Sequence, residues 1–246
     1  MGLLTIMSET YLFLVDLCEK VCTIQGKDIF EVKEVSLVLC RDEAKGEMKT
    51  QIDNYAVYLK NFLLKEGYYF SYEYDLSLSR QAFAKGFATR GSYHWNLNMG
   101  QQLLDLQDKG WFIGLMQGSV KHFKVFLQGR RVEYFLITRR GWRLGGTRYN
   151  SRGIESKGYT ANFCETEQIV VTGGYLFSQV QIRGSVPAFW KQSGIYADVE
   201  FYSTHENNRA SFLRHFSELN RVYGDVFCIN LLSKHKQGEL AITEYF

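Results

Sequence analysis

In the first part of the chain, apolar and β-branched residues fall in short alternating blocks: Tyr11 to Leu17, Val21 to Ile24, Ile29 to Val32 and Val35 to Cys40. Charged and glycine-bearing turns separate them, and the pattern predicts antiparallel hairpins, because successive strand side chains leave on opposite faces. The period then changes. Ile52, Tyr55, Leu59, Phe62 and Leu63 recur at helical spacing over 51–66, with Thr50 placed as N-cap and Gly67 as terminator. Tyr68, Phe70, Tyr72 and Tyr74 alternate with Tyr69, Ser71, Glu73 and Asp75, which predicts a strand ending near Asp75. A polar stretch through Trp95 leads to a short helix around Gln101 to Gln107. Strands are expected at Trp111 to Met116, Phe123 to Leu127, Val132 to Thr138, Gln168 to Val171 and Tyr175 to Ile182. Asn208 can cap a helix over Arg209 to Arg221 that Gly224 closes, a strand is expected at Val226 to Leu232, and Leu240 to Phe246 reads as the start of a last helix. The fold class is α+β.

Composition narrows the class. With 246 residues, 46% hydrophobic, the chain can bury a core. Its 18 Phe, 16 Tyr and 4 Trp against the single Pro187 exclude a disordered or proline-rich protein. The longest uncharged apolar stretch near the start, Tyr11 to Val15, is far short of the roughly 20 residues of a membrane-spanning helix. Ile6 stands where an acylation signal wants serine or threonine, and no basic head of a secretory signal precedes it, so a cytoplasmic protein is expected. Five cysteines, Cys18, Cys22, Cys40, Cys164 and Cys228, are an odd and scattered set; free thiols are expected and no zinc spacing occurs. No cofactor or metal is called for.

Charge is unevenly spread. Residues 121–157 carry ten Lys and Arg and two acids, Glu133 and Glu155, so the segment is 10 − 2 = +8 and the rest of the chain 3 − 8 = −5. Arg130, Arg131, Arg139, Arg140, Arg143, Arg148 and Arg152 dominate it. The guanidinium fork matches phosphate oxygens in pairs, which points to an anionic partner, while alternate outward-facing strand positions would give the same count as a solvated face. No stacking motif or recognition helix accompanies the charge, so no nucleic acid is expected.

Two stretches are more specific: LITRRGWRLGGTRYNSRGIESKGYTANFCETEQIV over 136–170, and QVQIRGSVPAFW over 179–190. Together, through Thr147-Arg148-Tyr149, Arg152-Gly153-Ile154, Ala161-Asn162-Phe163, Glu165-Thr166-Glu167-Gln168, Arg183-Gly184-Ser185-Val186-Pro187 and Trp190, they resemble the Sac-domain phosphoinositide phosphatases, the family that includes the Sac domains of synaptojanins. Tyr69-Phe70-Ser71, Trp95-Asn96 and Leu213-Arg214-His215-Phe216 extend the resemblance along most of the chain. The resemblance implies a β-rich N-terminal domain with flanking helices over 1–118, followed over 119–246 by the truncated start of an α/β cysteine-phosphatase-type domain.

Members of that family hydrolyse phosphate monoesters of inositol lipids with a cysteine nucleophile in a Cys-x5-Arg loop, without a metal. The thiolate attacks phosphorus while amides and the arginine hold the oxygens. Six residues after the five cysteines stand Ile24, Asp28, Gly46, Val170 and Lys234, none of them arginine. A chain ending before the catalytic loop is therefore expected, with no catalytic residue of its own. Arg148, Arg152 and Arg183 are the candidates for phosphate contact or pocket shaping, with structural ion pairing as their alternative role. Asn162, Glu165 and Glu167 are candidates for shaping the same pocket. Glu165 and Glu167 are natural arginine partners, and Cys164 beside a carboxylate is a poor nucleophile. The expected partners are phosphoinositide headgroups on anionic membrane surfaces, with the protein peripheral to endomembranes. The alternative is a non-catalytic phosphoinositide-binding or regulatory module.

Overall fold

The computed structural model describes residues 2–41, 45–65, 67–87, 91–104, 112–146, 150–192 and 198–245. The chain folds into two compact units, one built from 1–139 with 166–180 and the other from 140–165 with 181–246. The class is α+β, as the patterning predicts.

The first unit is organised by one sheet of sequential strands: β1 (Gly2–Ile6), β2 (Glu9–Ile24), β3 (Lys27–Arg41), β4 (Tyr68–Phe70), β5 (Met116–Leu127), β6 (Arg130–Arg140), β7 (Cys164–Thr172) and β8 (Tyr175–Arg183). The four short early blocks expected from the sequence are two long strands. Asp16, Glu19 and Lys20 do not break β2, because register shifts between Val15 and Cys22 absorb the irregularity and leave their side chains outside. The chain reverses only at Gln25-Gly26, both at positive φ, which is the two-residue turn that suits the twist of a hairpin.

α1 (Glu47–Lys65) starts earlier than expected, so Thr50 lies inside it; Ile52 and Leu63 are buried while Tyr55 and Phe62 stay half exposed. The strand expected to reach Asp75 stops at Phe70, where Ser71 accepts from the Glu73 and Tyr74 amides and turns the chain. β4 is buried on both faces: Tyr69 joins Ile24, Ile29, Met116, Phe135, Ile137 and Ile169 on one side, and Tyr68 and Phe70 join Phe13, Val35, Leu63 and Leu115 on the other. α2 (Arg80–Ala84) is capped by Ser79, whose hydroxyl accepts from the Ala82 amide. α3 (Leu97–Leu104) follows Asn96, which bridges the Ile113 carbonyl and the Leu115 amide.

Gly118-Ser119, where the family resemblance puts the division of the chain, lies within β5, where Gly118 pairs with Arg139. Gly118 has φ 151, and a Cβ there would sit 1.8 Å from the Thr138 carbonyl oxygen, so only glycine allows the strands to close at this point.

The second unit holds a two-stranded ribbon of β9 (Trp190–Lys191) and β10 (Glu200–Phe201) with α4 (His205–Tyr223) and α5 (Gln237–Tyr245). Ala188, Trp190 and Ile242 form its buried centre. Thr204, not Asn208, caps α4 by accepting from the Asn207 amide; Asn208 is buried, accepts from the Phe189 amide and donates to the Thr204 carbonyl. Gly224 closes α4 at positive φ as expected. The strand expected at Val226 to Leu232 does not form. The run is apolar apart from Asn230, but no ladder partner meets it among the described residues, and Phe227 and Leu231 are each 89% exposed. α5 begins before Leu240, and its Tyr245 stacks on Phe201 at 4.1 Å.

Candidate functional site

The basic run from 121 to 157 does not form a single patch. Lys121, Lys124, Arg130 and Arg131 are exposed on the β5–β6 hairpin, whereas Arg139 is wholly buried. Arg139 donates Nε to the Leu76 carbonyl at 2.6 Å and a terminal nitrogen to the Leu78 carbonyl and the Glu167 carboxylate, at 2.9 and 2.7 Å. The other Glu167 oxygen accepts from the Arg80 amide and the Ser178 hydroxyl, each at 2.7 Å. Glu167 is therefore the centre of a buried polar knot that ties the 76–80 segment to β6, β7 and β8 within the first unit.

The glycine- and arginine-rich stretch of the second unit is a ribbon held by its own backbone. Asn162 sits at φ 52, a conformation asparagine tolerates, and its amide nitrogen donates to the Leu144 carbonyl. Its side-chain oxygen accepts from Arg140, which also donates to the Gly146 carbonyl at 2.8 Å. Arg143 lies over the rings of Tyr159 and Trp142 at 4.0 and 4.7 Å, and Arg152 over Trp190 at 5.4 Å. Gly153 anchors the middle at φ 71: its amide donates to Ser185 Oγ, and a Cβ would meet the Ala188 carbonyl at 2.5 Å. Ser185 in turn donates its amide to the Ala161 carbonyl, which ties the SVPAFW stretch to the ribbon. The Gly146 carbonyl, the Asn162 side-chain oxygen and ring faces thus hold three guanidinium groups within one stretch of the chain.

The remaining candidates are placed as follows. Glu165 is fully buried and accepts from the Tyr223 hydroxyl of α4. Arg183 stands exposed at the end of β8. Arg148 falls outside the described residues. The structure thus brings Asn162 and Arg152 into one ribbon, directs Glu165 to α4 and assigns Glu167 to the Arg139 knot. In the sequence Arg140 and Arg143 stand in the basic run and the 136–170 stretch, and Ser185 in the motif after Arg183, with nothing that announces these contacts or that of Tyr223. The spacing of Arg140 from Asn162 gives no hint of their contact, because the intervening loop brings them together.

Cys164 is buried, and Cys22 is buried with its thiol pushed up to about 11, first by desolvation and then by Asp28. No group of three or more His, Cys, Asp or Glu residues gathers to hold a metal among the described residues.

The sequence profile described as the SacI homology domain matches residues 1–246. The chain belongs to the SacI homology domain family. It is 31% identical to the phosphoinositide phosphatase SAC6 of Arabidopsis thaliana over all of this chain and 44% of that protein. It is 30% identical to synaptojanin-1 of Rattus norvegicus over 96% of this chain and 15% of that protein. It is 27% identical to the polyphosphatidylinositol phosphatase INP53 of Saccharomyces cerevisiae over 89% of this chain and 22% of that protein. The chain therefore spans less than half the length of these relatives. No helix among the described residues is long and apolar enough to cross a membrane.

Proposed function

We propose that this SacI homology domain works as the N-terminal part of a phosphoinositide phosphatase, which hydrolyses phosphate monoesters of phosphatidylinositol phosphates once joined to a Cys-x5-Arg loop. The observation that carries the reading is the unbroken family match over 1–246, with relatives named as phosphoinositide phosphatases. In this reading Arg148, Arg152, Asn162, Glu165, Glu167 and Arg183 are the residues that contact the headgroup phosphate or shape the pocket for it. The protein is peripheral to endomembranes on their cytosolic face, and its partners are phosphoinositide headgroups. The division near 118 into an N-terminal-like part and the opening of the catalytic part belongs to this proposal; the compact units above are defined by packing, not by descent.

A second reading is a non-catalytic phosphoinositide-binding module; within these 246 residues no arginine stands six residues after any of the five cysteines. A phosphate-release assay on short-chain phosphatidylinositol phosphates tests both. This 246-residue polypeptide is expected to release nothing above buffer, and release is expected only when the loop-bearing segment is fused to it. Turnover by the polypeptide alone would overturn the assignment of the nucleophile to that loop, and an inactive fusion would favour the binding module.

A further inference from the structure

The β5–β6 and β7–β8 hairpins turn at the same end of the sheet. Thr172 Oγ1 donates to the Arg131 carbonyl and Tyr134 donates to Gln168, so β7 runs antiparallel to β6 and delivers Gly173-Gly174 beside Gln128-Gly129. All four turn residues have positive φ, which makes both loops tight and projecting.

The side chains at this end are of the wrong kind for contact with water alone. Phe126 and Leu127 are 78% and 66% exposed, and Tyr175 and Phe177 are 71% and 60% exposed. Register places Phe126 opposite Arg131 and Leu127 opposite Arg130. Lys124, two residue pairs behind Phe126, faces Glu133, which also accepts from Arg131 and contacts His122. Behind the tip, on the face that carries Phe126, lies a hollow of about 660 Å³ lined by Lys20, His122, Lys124 and Arg131 among others. Exposed aromatic and aliphatic groups at the hairpin tips, with Lys124, Arg130 and Arg131 on the same hairpin as Phe126 and Leu127, match the chemistry of a bilayer interface, where rings settle at headgroup depth and Lys and Arg meet lipid phosphate.

We infer that the paired hairpin tips form a membrane-docking edge, in which Phe126, Leu127 and Tyr175 enter the interface of an anionic bilayer while Lys124, Arg130 and Arg131 contact its phosphates. The inference deepens the peripheral-membrane part of the proposed function by naming the surface. It requires only anionic phospholipid, not a phosphoinositide.

The test is flotation of the 246-residue chain with vesicles of neutral phosphatidylcholine, of phosphatidylcholine with phosphatidylserine, and of phosphatidylcholine with a phosphoinositide. Phe126→Asp with Leu127→Asp is expected to lower partitioning onto phosphatidylserine vesicles at least about tenfold, as is Lys124→Gln with Arg130→Gln, the latter also flattening the salt dependence. Phe227→Ser, which alters an exposed aromatic of the other unit, is expected to leave partitioning unchanged. Phe126→Trp supplies a readout independent of loss-of-function variants: its emission is expected to shift to the blue with anionic vesicles only. Unshifted emission, or tip variants that float like the parent, would overturn the docking edge while leaving phosphoinositide chemistry intact. Tip-dependent flotation on phosphatidylserine without phosphoinositide preference, and without turnover by the loop-bearing fusion, would keep the edge and remove the phosphatase reading. Tip variants that change only the oligomeric state would assign this end to contact between copies and overturn the proposal.

Discussion

Taking a guanidinium out of water costs several kcal/mol unless its hydrogens are met and a countercharge is close. Arg139 satisfies both conditions with two carbonyls and Glu167. Removing either partner leaves the other charge buried and uncompensated. Arg139→Met or Glu167→Gln alone is therefore expected to lower the unfolding free energy by about 3–5 kcal/mol in urea titrations. The combined Arg139→Met, Glu167→Leu protein is expected to lose less than the sum of the two, because no orphan charge remains. The sequence made Glu167 conspicuous as an arginine partner and counted Arg139 among seven neighbouring arginines, but charge carries no information about depth. Which arginine pairs inward and which meet solvent is decided by strand phase and by the 76–80 segment arriving from far away in sequence. Asn162, named in the sequence only as a candidate for shaping the pocket, donates its side-chain nitrogen to the Ser151 carbonyl at 3.4 Å.

Elements with a local signal were read well: the α1 stripe, the Gly224 stop, and the β7 and β8 runs all emerge near their expected places. Long β2 and β3 look like fragments in the sequence, since a charged residue inside a strand resembles a turn until a partner strand shows that bulges can absorb it. The opposite error occurred at Val226 to Leu232. The run there is apolar and β-rich apart from Asn230, yet a strand exists only through its ladder, and none forms among the described residues. The amides of 226–232 are accordingly expected to exchange with deuterium far faster than those of β5 and β6, by at least about a hundredfold. Slow exchange there would mean that a partner strand pairs with the segment in solution.

At the scale of the whole molecule, acid is the natural stress. His94 has both ring nitrogens buried without a hydrogen-bond partner, and burial holds its pKa below the usual histidine value despite Asp75. His215 is lowered by burial as well, although its Nδ1 lies 2.9 Å from the Gly158 carbonyl. Below about pH 6.5 the unfolded chain binds protons that these folded imidazoles refuse, so stability is lost as pH falls from that point toward the folded values. The urea midpoint is expected to drop between about pH 7.5 and 5.5, and His94→Phe to recover roughly 1 kcal/mol at the lower pH while changing less at the higher. An equal gain at both pH values would show that relief of the unmet ring nitrogens, not protonation, sets the effect.

The backbone passes between the two packing units three times, at 139/140, 165/166 and 180/181. During synthesis the first unit cannot be finished when its own N-terminal portion has emerged: Arg139 waits for Glu167 and Ile137 for Ile169, both made after the intervening loop. A nascent chain halted before 166 would leave the ribosome with a buried cation still unanswered and a sheet two strands short. Neither unit can be freed from the other by one protease cut or one early stop codon.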